Sequence, residues 1–167
     1  MTALLHLLTA LAAAVWPLQP QPSVVHGFDP PEAAWAAGHR GVDLLGRAGQ
    51  AVRSTLPGTV AYVGTIAGRG VVVVSHGSRR TTYEPVRGSV RAGEPVLAGQ
   101  RIGTLEYGGS HCLPRACLHW GLIEGRDHYL DPLSLLGCEP RPVRLWPVEP
   151  ARPVGAPAGR PCATGPW

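Results

Sequence analysis

The stretch GTVAYVGTIAGRGVVVVSHG, residues 58–77, decides the fold class of this chain. Runs of valine, threonine, isoleucine and tyrosine lie on both sides of the turn signal AGRG, 67–70, and such residues favour strands. Similar runs recur along the chain about every ten residues, between turn signals such as LPG (56–58) and HGSRR (76–80), a spacing typical of all-β folds. We therefore predict a mainly β protein, built as a compact antiparallel sheet or sandwich.

The length of 167 residues suits one domain with its own core and is short for two. We expect the β-domain to cover residues 39–137. A proline-rich approach segment, 15–38, is expected to precede it and to wrap over it in extended form. The tail, 138–167, is rich in proline and arginine, and its composition predicts a largely disordered segment.

An apolar run from Ala3 to Trp16 is too short to span a bilayer comfortably. Small residues at Ala12, Ala13 and Ala14 offer a cleavage site, so we interpret residues 1–14 as a signal peptide; a buried N-terminal helix is the alternative. This interpretation predicts a bacterial protein that is secreted or held in the cell envelope.

All 15 basic residues are arginine, and the net charge is +4. Such a charge favours anionic surroundings. Nucleic acid is not an expected partner, because aromatic residues make up only 6% of the chain and do not alternate with arginine clusters in a known motif. The Gly-turn rhythm of VRAGEPVLAGQRIGTLE, 90–106, also occurs in biotin and lipoyl carriers, but a carrier needs an acceptor lysine, which this chain lacks.

A metal site is suggested by GHRGVDLLG, 38–46, which spaces His39 and Asp43 four residues apart. In an extended strand this spacing puts both side chains on one face and Val42 and Leu44 on the other. His119, in ACLHWG (116–121), would complete two histidines and a carboxylate, the ligand set of a catalytic zinc with one open position. Each residue alone fits a simpler role, a turn hydrogen bond or packing, so the prediction depends on their combination.

Seven sequence blocks occur in a characteristic order. They are GHRGVDL (38–44), GTVAYVG (58–64), VVVVSHG (71–77), TTYEPV (81–86), VRAGEPVLAGQRIG (90–103), CLHWGL (117–122) and YLDPLSLL (129–136). This order resembles the lysostaphin-type (LytM-like) zinc endopeptidases, which cut peptide cross-links in bacterial peptidoglycan. The resemblance implies a β-fold with a groove, a Zn²⁺ ion held by His39, Asp43 and His119, and peptidoglycan peptides as the partner.

Two positions depart from the family pattern. Members generally carry an H-x-H pair that ends at the last zinc ligand, and a Y-x-H segment in the central strand. Here the first position of the pair is Cys117, and the Y-x-H histidine is replaced by Pro85. We expect His111, in the loop before the His119 strand, to be the substitute base; Glu84 and His76 are weaker candidates.

Cys117 has three interpretations. Strand alternation puts it on the same face as His119. A disulfide with Cys112 is favoured in an exported protein and would fix the loop that carries His111. The alternatives are a fourth zinc ligand, which would close the open position and make the site structural, and an inert packed thiol. Cys138 and Cys162 are left as a second possible pair.

The expected function is that of an exported zinc metallo-endopeptidase acting on peptidoglycan cross-links. The alternative is a catalytically degenerate zinc-binding module that keeps the fold and binds peptidoglycan or regulates another cell-wall hydrolase. The missing histidines favour the module, and the complete ligand set favours the enzyme. Oligomeric state is not predicted.

Overall fold

A computed structural model describes residues 13–33 and 36–137 of the chain. Its strands are β1 (Val24–His26), β2 (Val42–Gly46), β3 (Ala51–Arg53), β4 (Gly58–Ile66), β5 (Arg69–Ser75), β6 (Arg79–Glu84), β7 (Val86–Gly88), β8 (Pro95–Val96), β9 (Arg101–Leu105), β10 (Ala116–Glu124) and β11 (His128–Leu130). A short 3-10 helix, Pro132–Leu136, follows β11. The mainly β prediction is therefore confirmed.

The strands form two antiparallel sheets. The larger has the order β1-β2-β10-β6-β5-β4-β8, with β11 also paired to β10, and the smaller has the order β3-β9-β7. β10 is central to the architecture, since β2 and β6 flank it on its two edges. Residues brought together on these three strands come from distant parts of the sequence.

The hairpin of β4 and β5 shows how the quoted stretch folds. Ile66 and Arg69 are paired, so that only Ala67 and Gly68 form the turn, and both have positive φ, 48° and 79°. Two positive φ values in a two-residue loop are the conformation whose twist matches that of paired strands. Arg69 consequently begins β5 at a fixed position.

The core lies where side chains of both sheets meet. Val42 and Leu44 are fully buried there, as strand alternation predicts, and Trp120 of β10 is also fully buried. Val52 and Ile102 contribute from the smaller sheet. Each large apolar side chain buried in this way stabilises the fold by about 1.5–3 kcal/mol.

The segment before His39 is built into the fold. Its strand β1 pairs with β2, with Val24 opposite Leu44. Upstream, Leu18 is fully buried and the ring centroid of Trp16 lies 6.5 Å from that of Trp120. The folded unit thus extends upstream of the residue at which the domain was expected to begin.

Some expectations concern residues outside the described ranges. They are the signal peptide up to residue 12, the tail 138–167 and the pairing of Cys138 with Cys162. Over residues 13–33 and 36–137, no helix has both the length and the apolar character needed to cross a membrane.

Candidate metal centre

Three elements carry the predicted ligands. Asp43 lies in β2 and is paired directly with His119 of β10. His39 precedes β2 and forms an isolated bridge with Asp29 through two backbone hydrogen bonds of 2.6 and 3.0 Å. The expectation that one strand would carry both His39 and Asp43 was wrong, because β2 begins only at Val42. The bridge, rather than strand β2, fixes the backbone of His39.

The three predicted ligands meet at one point. His39 Nε2 lies 3.0 Å from His119 Nδ1 and 3.2 Å from Asp43 Oδ1, and His119 Nδ1 lies 2.9 Å from Asp43 Oδ1. Ligand atoms at 2.0–2.1 Å from a tetrahedral zinc ion are separated from each other by about 3.3 Å. The triangle therefore has nearly the dimensions that such an ion needs, and its two-nitrogen, one-oxygen composition suits zinc.

Hydrogen bonds orient the ligands before any ion binds. His39 Nδ1 donates to the Gly27 carbonyl oxygen at 2.6 Å, which turns Nε2 towards the carboxylate. Burial lowers the pKa of His39, but its hydrogen bonds to Asp43 and to Gly27 outweigh burial and raise it overall. Burial would raise the pKa of Asp43, but hydrogen bonds from His119 and His39 hold it far below its usual range. Asp43 is therefore an ionised carboxylate.

The second carboxylate oxygen of Asp43 is an unsatisfied acceptor. Asp43 is 1% exposed, and its Oδ2 has no hydrogen-bond partner among the described residues. His26 Nδ1 lies 3.6 Å from it, beyond hydrogen-bond distance. A buried acceptor without a partner costs about 1–3 kcal/mol. A cation bound to this carboxylate would offset that cost, so the residues present fit a metal ion.

His111 also reaches this group. Its Nδ1 lies 3.4 Å from Asp43 Oδ1, and its ring centroid lies 5.0 Å from that of His119. Together His39, Asp43, His111 and His119 place one ligand atom each within 4.8 Å of one another, so the group could hold a metal ion. Burial lowers the pKa of His111, and the nearby carboxylate of Asp43, which acts in the opposite direction, does not offset it.

A disulfide between Cys112 and Cys117 fixes the loop that carries His111. Because the Cys117 sulfur is bonded to Cys112, Cys117 is neither a metal ligand nor a free thiol in this structure. Ser110 also restrains the loop. Its Oγ accepts from the Cys117 backbone N–H at 3.0 Å and donates to the Arg115 carbonyl at 2.9 Å.

Sequence analysis did not predict that three further residues lie beside the centre. They are His26, Arg69 and Glu84. The His26 ring stacks on His39 with centroids 3.9 Å apart and an angle of 6° between planes. Arg69 Nη1 lies 2.5 Å from His111 Nε2 and 3.5 Å from Glu84 Oε1. Glu84 was considered only as a substitute base, and in β6 it lies opposite His119.

His76, the other weak candidate for a base, lies apart from this group. Its Nδ1 donates to the Pro57 carbonyl at 2.8 Å, and its Nε2 lies 2.9 Å from the Thr81 hydroxyl. Both ring nitrogens are therefore engaged in structural hydrogen bonds. His76 is not part of the four-residue group that could hold a metal.

Comparison with protein families decides the identity of the fold. The family model described as peptidase family M23 matches residues 37–132. This chain belongs to peptidase family M23. The predicted lysostaphin-type resemblance is confirmed, and the matched residues of the M23 domain include all four members of the metal-binding group.

The curated relatives of this M23 protein are mycobacterial. It is 48% identical over 138 residues to uncharacterized proteins of Mycobacterium tuberculosis and Mycobacterium bovis, which covers 80% of this chain and 55% of each relative. The chain thus spans about half the length of the curated relatives that it matches.

Solved structures share the fold. The antimicrobial peptidase lysostaphin from Staphylococcus simulans has a TM-score of 0.64 and 22% identity, with 76% of this chain and 55% of that chain covered. A zinc-containing peptidase from Vibrio cholerae has a TM-score of 0.62 and 24% identity, covering 77% and 40%. A chain of the SpoIIQ–SpoIIIAH pore-forming complex has a TM-score of 0.61 and 22% identity, covering 76% and 92%.

Proposed function

We propose that this M23 protein is an exported zinc endopeptidase that hydrolyses peptide cross-links in peptidoglycan. One observation carries the proposal: His39 Nε2, Asp43 Oδ1 and His119 Nδ1 lie 2.9–3.2 Å from one another around a buried, ionised carboxylate. A bound zinc ion would polarise the scissile carbonyl and lower the pKa of a water molecule to about 7.

His111 is proposed as the group that moves a proton. Its disulfide-fixed loop holds Nδ1 at 3.4 Å from Asp43 Oδ1, close to where a water molecule would attack. In this structure Arg69 donates to Nε2, so the neutral ring carries its hydrogen on Nδ1. His111 can accept a proton at Nδ1 only after Arg69 releases Nε2 and the ring hydrogen moves from Nδ1 to Nε2. Substrate binding is the event proposed to release it.

A cavity of about 550 Å³, lined by residues other than the four metal-binding ones, offers room for part of the peptide. Leu45 lines it and, by strand alternation, lies on the same face of β2 as Asp43. The exposed residues Arg47 and Arg115 also line it. Their positive charge suits a peptide that carries carboxylates, which supports peptidoglycan peptides as the substrate class.

The second candidate function is a degenerate module that binds peptidoglycan or regulates another cell-wall hydrolase. Cys117 and Pro85 stand where the family resemblance implies two catalytic histidines, and this observation favours the module. The likeness in fold to a chain of the pore-forming complex supports it too, since a similar domain takes part in an assembly there.

Metal content and turnover separate these functions. We would measure zinc by mass spectrometry and muropeptide release from purified peptidoglycan for wild-type protein and for His119→Ala. His128→Ala is the matched control, because His128 is an exposed histidine of β11 that pairs with Glu124 and is not one of the four metal-binding residues. Stoichiometric zinc with release in wild type and control, and loss of both in His119→Ala, supports the enzyme. Stoichiometric zinc without release leaves the binding module.

Export is tested separately. In a bacterial host, the wild-type chain should reach the cell envelope or medium and lose its first residues, as read by N-terminal mass spectrometry. A variant that lacks residues 2–14 should stay in the cytoplasm. Equal distribution of the two chains would contradict the signal-peptide interpretation.

A further inference from the structure

We propose that Arg69 binds the carbonyl oxygen of the scissile peptide bond and stabilises the negative charge that develops on it, with Glu84 holding the guanidinium in place. The inference rests on the proposed peptidase function and goes beyond it, because it names a residue that takes over the role left empty at Pro85. Arg69 would touch the reacting atoms; Glu84 would act through Arg69.

The position of Arg69 is set by its neighbours. It is the first residue of β5, directly after the two-residue turn, and its Nη1 lies between His111 Nε2 and Glu84 Oε1 at 2.5 and 3.5 Å. His111 in turn contacts Asp43 at the metal-binding group. One side chain therefore separates the guanidinium from the point where the ligands meet.

The stem of Arg69 is also packed, which distinguishes it from a free surface arginine. A Cβ built on Gly109 would lie 2.5 Å from Arg69 Cγ and 3.0 Å from Arg69 Cδ. Gly109 has a φ of 81°, a conformation that favours glycine. The loop thus leaves space for this stem, and the Arg69 side chain is only 33% exposed.

A guanidinium suits this place for chemical reasons. It is always charged and has five N–H donors, of which the contacts to His111 and Glu84 engage only part. Glu84 neutralises the excess positive charge next to a site that must also accept a cation. Pro85 stands where the family resemblance implies the Y-x-H histidine, and Glu84 before it has no hydrogen to donate when ionised. A donor on the neighbouring strand can take this role, and β5, which begins with Arg69, pairs with β6.

The step can be written with all atoms accounted for. The water oxygen forms a bond to the carbonyl carbon, and the electron pair of the C=O bond moves to the oxygen that Arg69 hydrogen-bonds. When this pair returns, the C–N bond breaks. The proton removed from water passes through His111 to the leaving amine nitrogen. Arg69 keeps its protons throughout, and its shift from His111 to the carbonyl frees His111 Nε2.

The experiment measures affinity for a charged mimic of this step. The probe is an N-acetyl alanyl phosphinic pseudodipeptide, in which –P(O)(OH)–CH₂– replaces the peptide bond, and its Kd is measured by calorimetry on zinc-loaded protein. The variants are Arg69→Ala, Arg69→Lys and Glu84→Gln. Arg79→Ala is the matched control, because Arg79 also begins a strand and also pairs with a glutamate, Glu124, at 2.8 Å.

We expect Arg69→Ala to weaken phosphinate binding by about 10²-fold, the effect of removing one such donor. Arg69→Lys should restore part of the affinity, and Glu84→Gln should show a smaller loss. Zinc content and melting temperature should stay at the Arg79→Ala values. With peptidoglycan fragments as substrate, kcat should fall while KM changes little, and free guanidine should partly rescue Arg69→Ala.

The proposal is overturned if Arg69→Ala binds the phosphinate as tightly as Arg79→Ala, or if it loses zinc in proportion to affinity. These results are distinct from failure of the peptidase function. A wild-type protein that releases no muropeptide, yet binds the phosphinate through Arg69, would keep the oxyanion-binding role and refute the peptidase assignment.

Discussion

The imidazole of His119 lies against the backbone of Gly41, so closely that a Cβ on Gly41 would be 2.7 Å from His119 Nε2. The same Cβ would be 2.6 Å from the Trp120 carbonyl oxygen. The His119 ring can therefore keep its orientation only if residue 41 is glycine. In that orientation His119 Nδ1 lies 2.9 Å from Asp43 Oδ1.

We predict that Gly41→Ala lowers zinc affinity by about 10- to 100-fold, the usual effect of disturbing a group that orients a metal ligand. Competition with a chromophoric chelator measures the change. Gly108→Ala is the control, since no heavy atom lies within 4 Å of its added Cβ. Equal affinities for the two variants would show that the His119 ring adapts.

The disulfide holds His111 in place, so removing it should affect turnover more than metal content. Cys112→Ala/Cys117→Ala is expected to lower the free energy of unfolding by about 2 kcal/mol, the value for a short closed loop. Muropeptide release should fall while zinc stays stoichiometric. Leu113→Ala, at a 60% exposed position of the same loop, should change neither quantity. Retained turnover in the double variant would contradict the role given to His111.

Stability should depend on pH through His76. Burial lowers the pKa of His76 by more than its hydrogen bond to Pro57 raises it. The His76 side chain therefore binds a proton more readily in the unfolded chain than in the folded one. Its contribution to stability is complete above its unfolded pKa of about 6.5, and it is lost as pH falls from there towards its folded pKa.

The measurement is the melting temperature of chelator-treated protein between pH 5 and pH 7.5. His76→Gln cannot titrate, and it should lose less stability on acidification than the wild type. Parallel curves would show that His76 does not contribute to the acid sensitivity. The comparison cancels the titration of other groups, which both proteins share.

The hairpin turn before Arg69 contains a residue with an unfavourable conformation. Ala67 has a φ of 48°, and the left-handed conformation costs a residue with a Cβ about 1–2 kcal/mol. Asparagine tolerates this region, so Ala67→Asn should raise the free energy of unfolding by about 1 kcal/mol in urea titrations. Ala61→Asn, at an exposed position of β4, should not stabilise. A lower stability for Ala67→Asn would contradict the assigned turn.

Much of the fold was predictable because its signals are local. β-branched runs and turn residues between 58 and 77 predict β4 and β5, and alternation put Val42 and Leu44 on the face opposite Asp43, which is the face that the core covers. The types of residue at 39, 43 and 119 also carry information, because histidine and carboxylate are the groups that bind zinc.

The rest depends on pairings between distant residues. Nothing local indicates that β1 places His26 over His39, or that β5 and β6 place Arg69 between Glu84 and His111. Arg69 was interpreted only as part of a turn signal. Its role becomes visible once the strand order is known, since strand register alone brings these side chains together.

The Gly27–His39 hydrogen bond shows that the domain recognised from sequence begins later than the part of the chain that orients the metal ligands. Sequence comparison recognises a unit that begins at residue 37, whereas the carbonyl that orients a metal ligand lies ten residues earlier. A protein cut to the recognised boundary would keep all four metal-binding side chains and lose both the edge strand β1 and the Gly27 carbonyl that orients one of them. Inactivity of such a fragment would therefore be a property of the cut. A single proteolytic nick between Gly27 and residue 37 would leave the Gly27 carbonyl attached to the rest of the domain only by noncovalent contacts such as the β1–β2 pairing.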